Sequence, residues 1–263
     1  MSRPSRQQIC DDLAAEHEAL DEMIGSLATE DWSRPTPSDG WTIADQVSHL
    51  AFFDHRATLA MVDPDEFVAD RTRLFEAAPR DLSVEMSRVE PASVVLDTWR
   101  KNRRRLLDAA HGARDSDRVP WYGPSMSVTS FLTARLMETW AHGCDVADAL
   151  ERPIVASSRL RHVAHIGVTA RPYSLMVNGR EPDDRPIRVE LVAPSGDEWS
   201  WGESDAEGGA VRGTALDFAL VVTHRRHLTD TSLDVSGDAA RSWMSVAQAF
   251  AGPAGPGRAP RDR

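Results

Sequence analysis

The run from Ser127 to Leu150 reads as one long helix, and near its middle stands Arg135-Leu-Met-Glu-Thr-Trp-Ala-His-Gly-Cys-Asp145. Glu138 and His142 are four residues apart, so on a helix their side chains lie one above the other on a single face. A carboxylate and an imidazole on adjacent turns form two arms of a divalent-metal site, and such a site needs a third. His49, in Val47-Ser-His-Leu50, is the candidate for it.

The preceding chain supplies helices to pack against this one. Ile9, Leu13, Leu20, Ile24 and Leu27 form a helical stripe from Arg6 to about Leu27. His17 lies in register with that stripe and reads as a core residue outside the site. Asp31 to Gly40 is dense in turn residues and reads as a loop. Thr42 then caps a second helix, with Asp45 where a capping box wants an acid. Ile43, Val47, Leu50 and Ala51 mark its buried face, with His49 beside them. His55 lies about 240° round that helix from His49 and is expected to be solvated. Asp63-Pro-Asp65 ends it, and Glu66 to Ala78 reads as a short, weaker helix.

Pro91 to His111 carries Val95, Trp99, Leu106 and Ala109 on one face, around the basic block Arg100-Lys-Asn-Arg-Arg-Arg105. That block reads as a solvated helix face, with an anion-binding rim at the site mouth as the alternative. Asp115 to Pro124 is a second loop. Four helices of this pattern make an antiparallel bundle, whose interior is the usual place for a metal held by facing helices. Glu151-Arg-Pro153 closes it, because proline cannot continue the turn.

Beyond Pro153 the pattern changes. Ser157 to about Val177 reads as one helix bent at Arg171-Pro172. Ile187, Val189, Leu191 and Ala193 alternate with polar residues as in a strand, Pro194 to Asp197 is a turn, and Trp199 and Trp201 lie on the return strand. A helix from Thr214 to about Arg226, a short strand Leu233 to Val235 and a last helix Asp238 to Phe250 follow. The fold class is therefore α+β, with a helical bundle over 1–152, a smaller α+β domain over 153–252 and a disordered tail over 253–263.

Composition excludes some functions. A formal net charge of −11 over 263 residues argues against nucleic acid, whose phosphates need clustered basic surface. No run reaches membrane-spanning length, and the first residues lack an apolar signal core. Two cysteines, Cys10 and Cys144, form no framework. A reduced cytoplasmic setting is the simplest expectation. The sequence leaves a homodimer open.

The segment Trp41-Thr-Ile-Ala-Asp-Gln-Val-Ser-His-Leu50 resembles the helix-two motif of the DinB-like superfamily, and Arg135-Leu-Met-Glu-Thr-Trp-Ala-His142 resembles the matching ligand helix of the mycothiol-dependent maleylpyruvate isomerases. Val119-Pro-Trp-Tyr-Gly-Pro124 and Ala247-Gln-Ala-Phe-Ala-Gly-Pro253 look closest to a bacterial metal-binding subfamily. The resemblance implies that His49, Glu138 and His142 hold a divalent metal, zinc first, with nickel, iron and manganese also suiting the donor set. It also implies a mycothiol-like thiol, deprotonated by the metal and added to a small electrophile, ending in isomerisation or S-transfer. Around the trio, Asp145 is placed to hold the second nitrogen of His142, and Arg135 to orient Glu138 or bind a substrate carboxylate. A surface role is the alternative for both. Trp121 and Tyr122 are placed to wall the pocket, with aromatic packing between loop and bundle as the alternative. Cys144 departs from the polar amide expected there and reads equally as a small core residue. His224 with His227, and His162 with His165, read as surface residues. Two other functions compete: a metal-stabilised binder of a lipid or other small molecule, for which Trp199 and Trp201 would face a cavity, and a metal-dependent hydrolase.

Overall fold

In the computed structural model of the chain, which describes residues 4–76, 81–255 and 257–261, the first helix begins at a capping box. Ser5 accepts from the Gln8 backbone amide, and the Gln8 side chain accepts from that of Ser5, opening α1 (Arg6–Ile24). Thr42 and Asp45 make the same reciprocal cap at the start of α2 (Ile43–Val62). A polar cap of this kind contributes about 1 kcal/mol and fixes the helix register. Asp63 ends α2, and α3 (Pro64–Glu76) starts on a proline, the residue that suits a first helical position. The expected end of α3 at Ala78 lies outside the described residues.

A 3-10 turn (Leu82–Val84) and α4 (Glu85–Val89) lead into α5 (Ala92–Gly112). The loop expected over Asp115 to Pro124 contains β1 (Arg118–Val119), which pairs antiparallel with β2 (Met126–Ser127) just beyond it. Ser127 then caps α6 (Val128–Ala149). This helix stops before Pro153 is reached. Glu151 takes a left-handed conformation, φ 55°, and Arg152 N–H turns back to the Ala147 carbonyl at 2.9 Å.

The chain divides into two compact units, Met1–Ile154 and Val155–Arg263. In the first, α1, α2, α5 and α6 form the bundle, and one core joins Leu20, Ile24, Ile43, Val47, Leu50, Val95, Trp99 and Val146. Each such aliphatic side chain contributes about 1.5–3 kcal/mol on burial. The basic block of α5 is not a uniformly solvated face. Arg103 is buried, with its guanidinium over the Trp99 ring and paired to Glu18 and Asp21, and Arg100 also pairs with Asp21 at 2.5 Å. Both guanidiniums are therefore committed to tying α5 to α1, which removes them from an anion-binding rim. Lys101, Arg104 and Arg105 are exposed.

In the second unit the expected bent helix is two helices, α7 (Leu160–Thr169) and α8 (Arg171–Val177), broken before Pro172. The sheet has order β4-β3-β5-β6. β3 (Arg188–Val192) pairs antiparallel with β4 (Glu198–Trp201) and parallel with β5 (Ala210–Thr214), a strand without a clear sequence signal. Thr214 caps α9 (Ala215–Val222), and β6 (Asp234–Ser236) completes the sheet. The last helix, α10 (Asp238–Met244), ends well short of Phe250, and Gln248 Nε2 donates instead to the carbonyls of Phe250 and Gly252 at 3.1 and 3.2 Å.

Gly209 lies where the chain enters β5 beside the end of β6. Its φ is 101°, and a Cβ there would stand 2.0 Å from the Ser236 carbonyl oxygen. Trp199 is buried, with the Arg161 guanidinium 6.0 Å from its ring, and Trp201 donates to His165 Nδ1 at 3.3 Å. Both tryptophans thus face α7. His162, expected at the surface, is buried on that same helix. In the tail, Arg261 N–H donates to Asp230 of the 3-10 turn Leu228–Asp230 at 3.0 Å. No described helix is long and apolar enough to cross a membrane.

Candidate metal centre

His49 on α2 and Glu138 and His142 on α6 each offer one ligand atom, and these atoms lie within 4.8 Å of one another. The packing of α2 on α6 through Val47, Leu50 and Val146 brings the two faces together. His142 is buried, whereas Glu138 keeps 26% of its side-chain surface exposed. The centre is therefore open on one side.

The hydrogen bonds behind the rings decide which nitrogens face inward. Thr36 Oγ1 donates its one proton to the Trp41 carbonyl at 3.0 Å, so it accepts from Gln46 Nε2 at 2.9 Å. That turns Gln46 Oε1 to His142 Nδ1, 2.5 Å away, and only a protonated Nδ1 can satisfy it. His142 Nε2 is left 3.4 Å from Glu138 Oε2 with a lone pair towards an anion. His49 Nδ1 is likewise engaged, by Ser83 Oγ at 2.9 Å, leaving its Nε2. Two nitrogen lone pairs and a carboxylate that converge repel one another unless a proton or a cation lies between them. This donor set fits a divalent cation, and three protein ligands leave at least one further position.

Burial pushes the Glu138 carboxyl up. With the rings protonated, as they can be when no cation lies between them, the hydrogen bond and charge of His142, together with the Arg135 and His49 charges, outweigh burial and hold it at about 2. Glu138 is an anion at any physiological pH.

Aromatic rings border the trio on two sides. The Trp41 ring stacks on His142 at 6.0 Å and tilts against His49 at 5.1 Å. Phe53 lies 4.6 Å from His49 on its other side and continues into Trp121 and Tyr122 at 6.1 and 5.9 Å. Trp121 also stacks on Phe67 at 5.5 Å, and Tyr122 accepts from Arg56 Nε at 3.0 Å, so both are anchored in the bundle. A cavity of ≈ 690 Å³ opens beside Trp41, lined also by Asp39, Asp81, Val84, Glu85 and Arg88.

Two expected neighbours take other roles. Asp145 is neither a surface acid nor the holder of the His142 ring. It is fully buried and accepts from Ser38 at 3.1 Å, because Gln46 occupies Nδ1 of that ring. Arg135 is not at a mouth where a substrate carboxylate would meet it. It is buried and donates to Asp54 at 2.9 Å. Cys144 is buried and forms no disulfide. Gln46, Trp41, Phe53 and Ser83 escape a search for ligands, although Trp41 and Gln46 sit inside the motif that carries His49.

Residues 13–147 match the family described as the mycothiol maleylpyruvate isomerase N-terminal domain. Proteins described as uncharacterised, from two strains of Mycobacterium tuberculosis, are each 45% identical over 94% of this chain and 96% of their own. Crystal structures of a mycothiol-dependent maleylpyruvate isomerase and of its histidine-to-alanine mutant share the fold, with a TM-score of 0.59 at 14% identity over 90% of this chain and 96% of theirs.

Proposed function

The chain belongs to the mycothiol maleylpyruvate isomerase N-terminal domain family, and on that premise we propose that it is a divalent-metal-dependent enzyme. It uses a mycothiol-like low-molecular-weight thiol to isomerise a small electrophile, or to add to it through sulfur as a thioether. The observation that supports this reading is the convergence of the His49 and His142 lone pairs on the ionised Glu138 at the open side of the bundle.

His49, Glu138 and His142 bind the metal, and Gln46 and Ser83 orient the two rings. When bound there, a zinc-like cation supplies the Lewis acidity that keeps a thiol deprotonated at neutral pH. Trp41 and Phe53 flank the open position and limit the approach of water, and Trp121 and Tyr122 extend that wall. The rival lipid-binding reading loses its support, because Trp199 and Trp201 face α7.

The test is elemental analysis of the purified protein, followed by titration of mycothiol into its metal-loaded and metal-free forms. Saturable binding to the loaded form alone is expected, with loss of metal and turnover in His49→Ala and His142→Ala while the helical circular dichroism persists. Turnover that survives metal removal would sink the proposal.

A further inference from the structure

We propose that Asp81 and Ser83 act as a positioning pair that points the metal-facing nitrogen of His49. The inference rests on the metal reading above. Ser83 is buried, and its hydroxyl has a single proton, which it donates to Asp81 Oδ1 at 2.5 Å because a carboxylate can only accept. Towards His49 Nδ1, 2.9 Å away, the same oxygen therefore offers a lone pair. The neutral ring must therefore carry its proton on Nδ1 and present an unprotonated Nε2 to Glu138 and His142. The chain Asp81–Ser83–His49 thus selects the one tautomer that can ligate a metal.

Two further bonds keep the pair in place. Asp81 also accepts from the Ser83 backbone amide at 3.0 Å, closing the cap of the 3-10 turn. Ser48, beside His49 on α2, donates to the Ser83 carbonyl at 2.8 Å. Ser48 and His49 therefore hold the turn at two points, one structural and one directed at the ring. The two ligand histidines are backed differently. His142 leans on the neutral amide of Gln46, whereas the relay behind His49 ends on a carboxylate. A carboxylate behind a ring N–H makes the opposite nitrogen a stronger donor.

The experiment measures Co²⁺ binding by chelator competition and by the visible absorption of the bound ion. The proteins compared are the full-length wild type and the variants Ser83→Ala, Ser83→Thr, Asp81→Asn, Ser48→Ala and His49→Ala. Loss of such a partner weakens metal binding about 10–100-fold. Ser83→Ala is expected to fall in that range with an altered cobalt spectrum, Asp81→Asn to lie between it and the wild type, and Ser83→Thr, which keeps the hydroxyl, to bind nearly as the wild type does. Ser48→Ala loses the structural bond alone and is expected to keep the wild-type spectrum. Equal binding and an unchanged spectrum in Ser83→Ala would overturn the proposal while leaving the metal site standing. So would an equal loss in Ser48→Ala, which would reduce Ser83 to anchoring the turn. A wild type that binds no more cobalt than His49→Ala would instead overturn the metal reading itself.

Discussion

Replacing His17 by glutamine should make the protein more resistant to acid. His17 on α1 is fully buried, and neither ring nitrogen has a hydrogen-bond partner among the described residues. Burial, with the charges of Arg103 and Arg135 added, holds its pKa at about 3 against an ordinary 6.5. The folded state therefore keeps the ring neutral while the unfolded chain takes up a proton. Stability from this residue is complete above pH 6.5 and is lost as pH falls towards 3. The slope is about 1.36 kcal/mol per unit, so roughly 3 kcal/mol has gone by pH 4.

Asp54, 3.9 Å away, works in the opposite sense. Burial pushes its carboxyl above the usual range despite the neighbouring guanidiniums, so the folded state takes up that proton first on acidification and regains stability. Both proteins contain Asp54 and the His49, Glu138 and His142 trio, so those contributions largely cancel in their difference. Urea unfolding at pH 7, 5 and 4 with chelator present is the assay. The gap between His17→Gln and the wild type should move by about 2–3 kcal/mol in favour of the variant between pH 7 and pH 4. Parallel loss of stability in the two proteins would refute the reasoning, because it would mean that His17 takes up its proton equally in both states.

Asp54→Ala leaves the buried Arg135 guanidinium without its carboxylate and should cost about 3–5 kcal/mol, read from urea midpoints at pH 7. An effect below about 1 kcal/mol would mean that water reaches Arg135. In the second unit, a Cβ on Gly167 of α7 would stand 2.8 Å from Val222 Cγ2 and 3.0 Å from Phe218 Cε1. Gly167→Ala should therefore destabilise by about 1–3 kcal/mol, visible as a lowered melting temperature, although alanine is the better helix former.

The parts legible from the sequence are those whose signals are local. Thr42 with Asp45 announced the start of α2, and the spacing of Glu138 and His142 announced a shared helix face. The buried face of Ile43, Val47 and Leu50 followed from periodicity. Strand β5 was not legible because Ala210 to Thr214 includes Gly213 and has no alternation of apolar and polar residues. Its partners are set by parallel pairing with β3, a non-local contact. The end of α10 at Met244 was missed because Val246, Ala247 and Ala249 continue an apolar pattern that serves irregular chain. Arg103 looked solvated for a related reason. Charge along the sequence does not reveal that Glu18 and Asp21 on another helix will meet it.

The same blindness hid how Arg135 serves the centre, and its place explains why a buried cation is tolerated beside the candidate metal site. A guanidinium one turn before Glu138 would repel an incoming divalent ion if its charge stood alone. Asp54 at 2.9 Å compensates that charge at close range, so little net field reaches beyond the pair. Arg135 still helps to hold Glu138 ionised. A protonated His17 would add a second cation to this layer and a repulsion that Asp54 alone does not offset. Keeping His17 neutral thus serves the site as well as the fold. The bundle carries two polar layers, one open and short of positive charge, the other closed and internally balanced, and Arg135 belongs to the second while acting on the first.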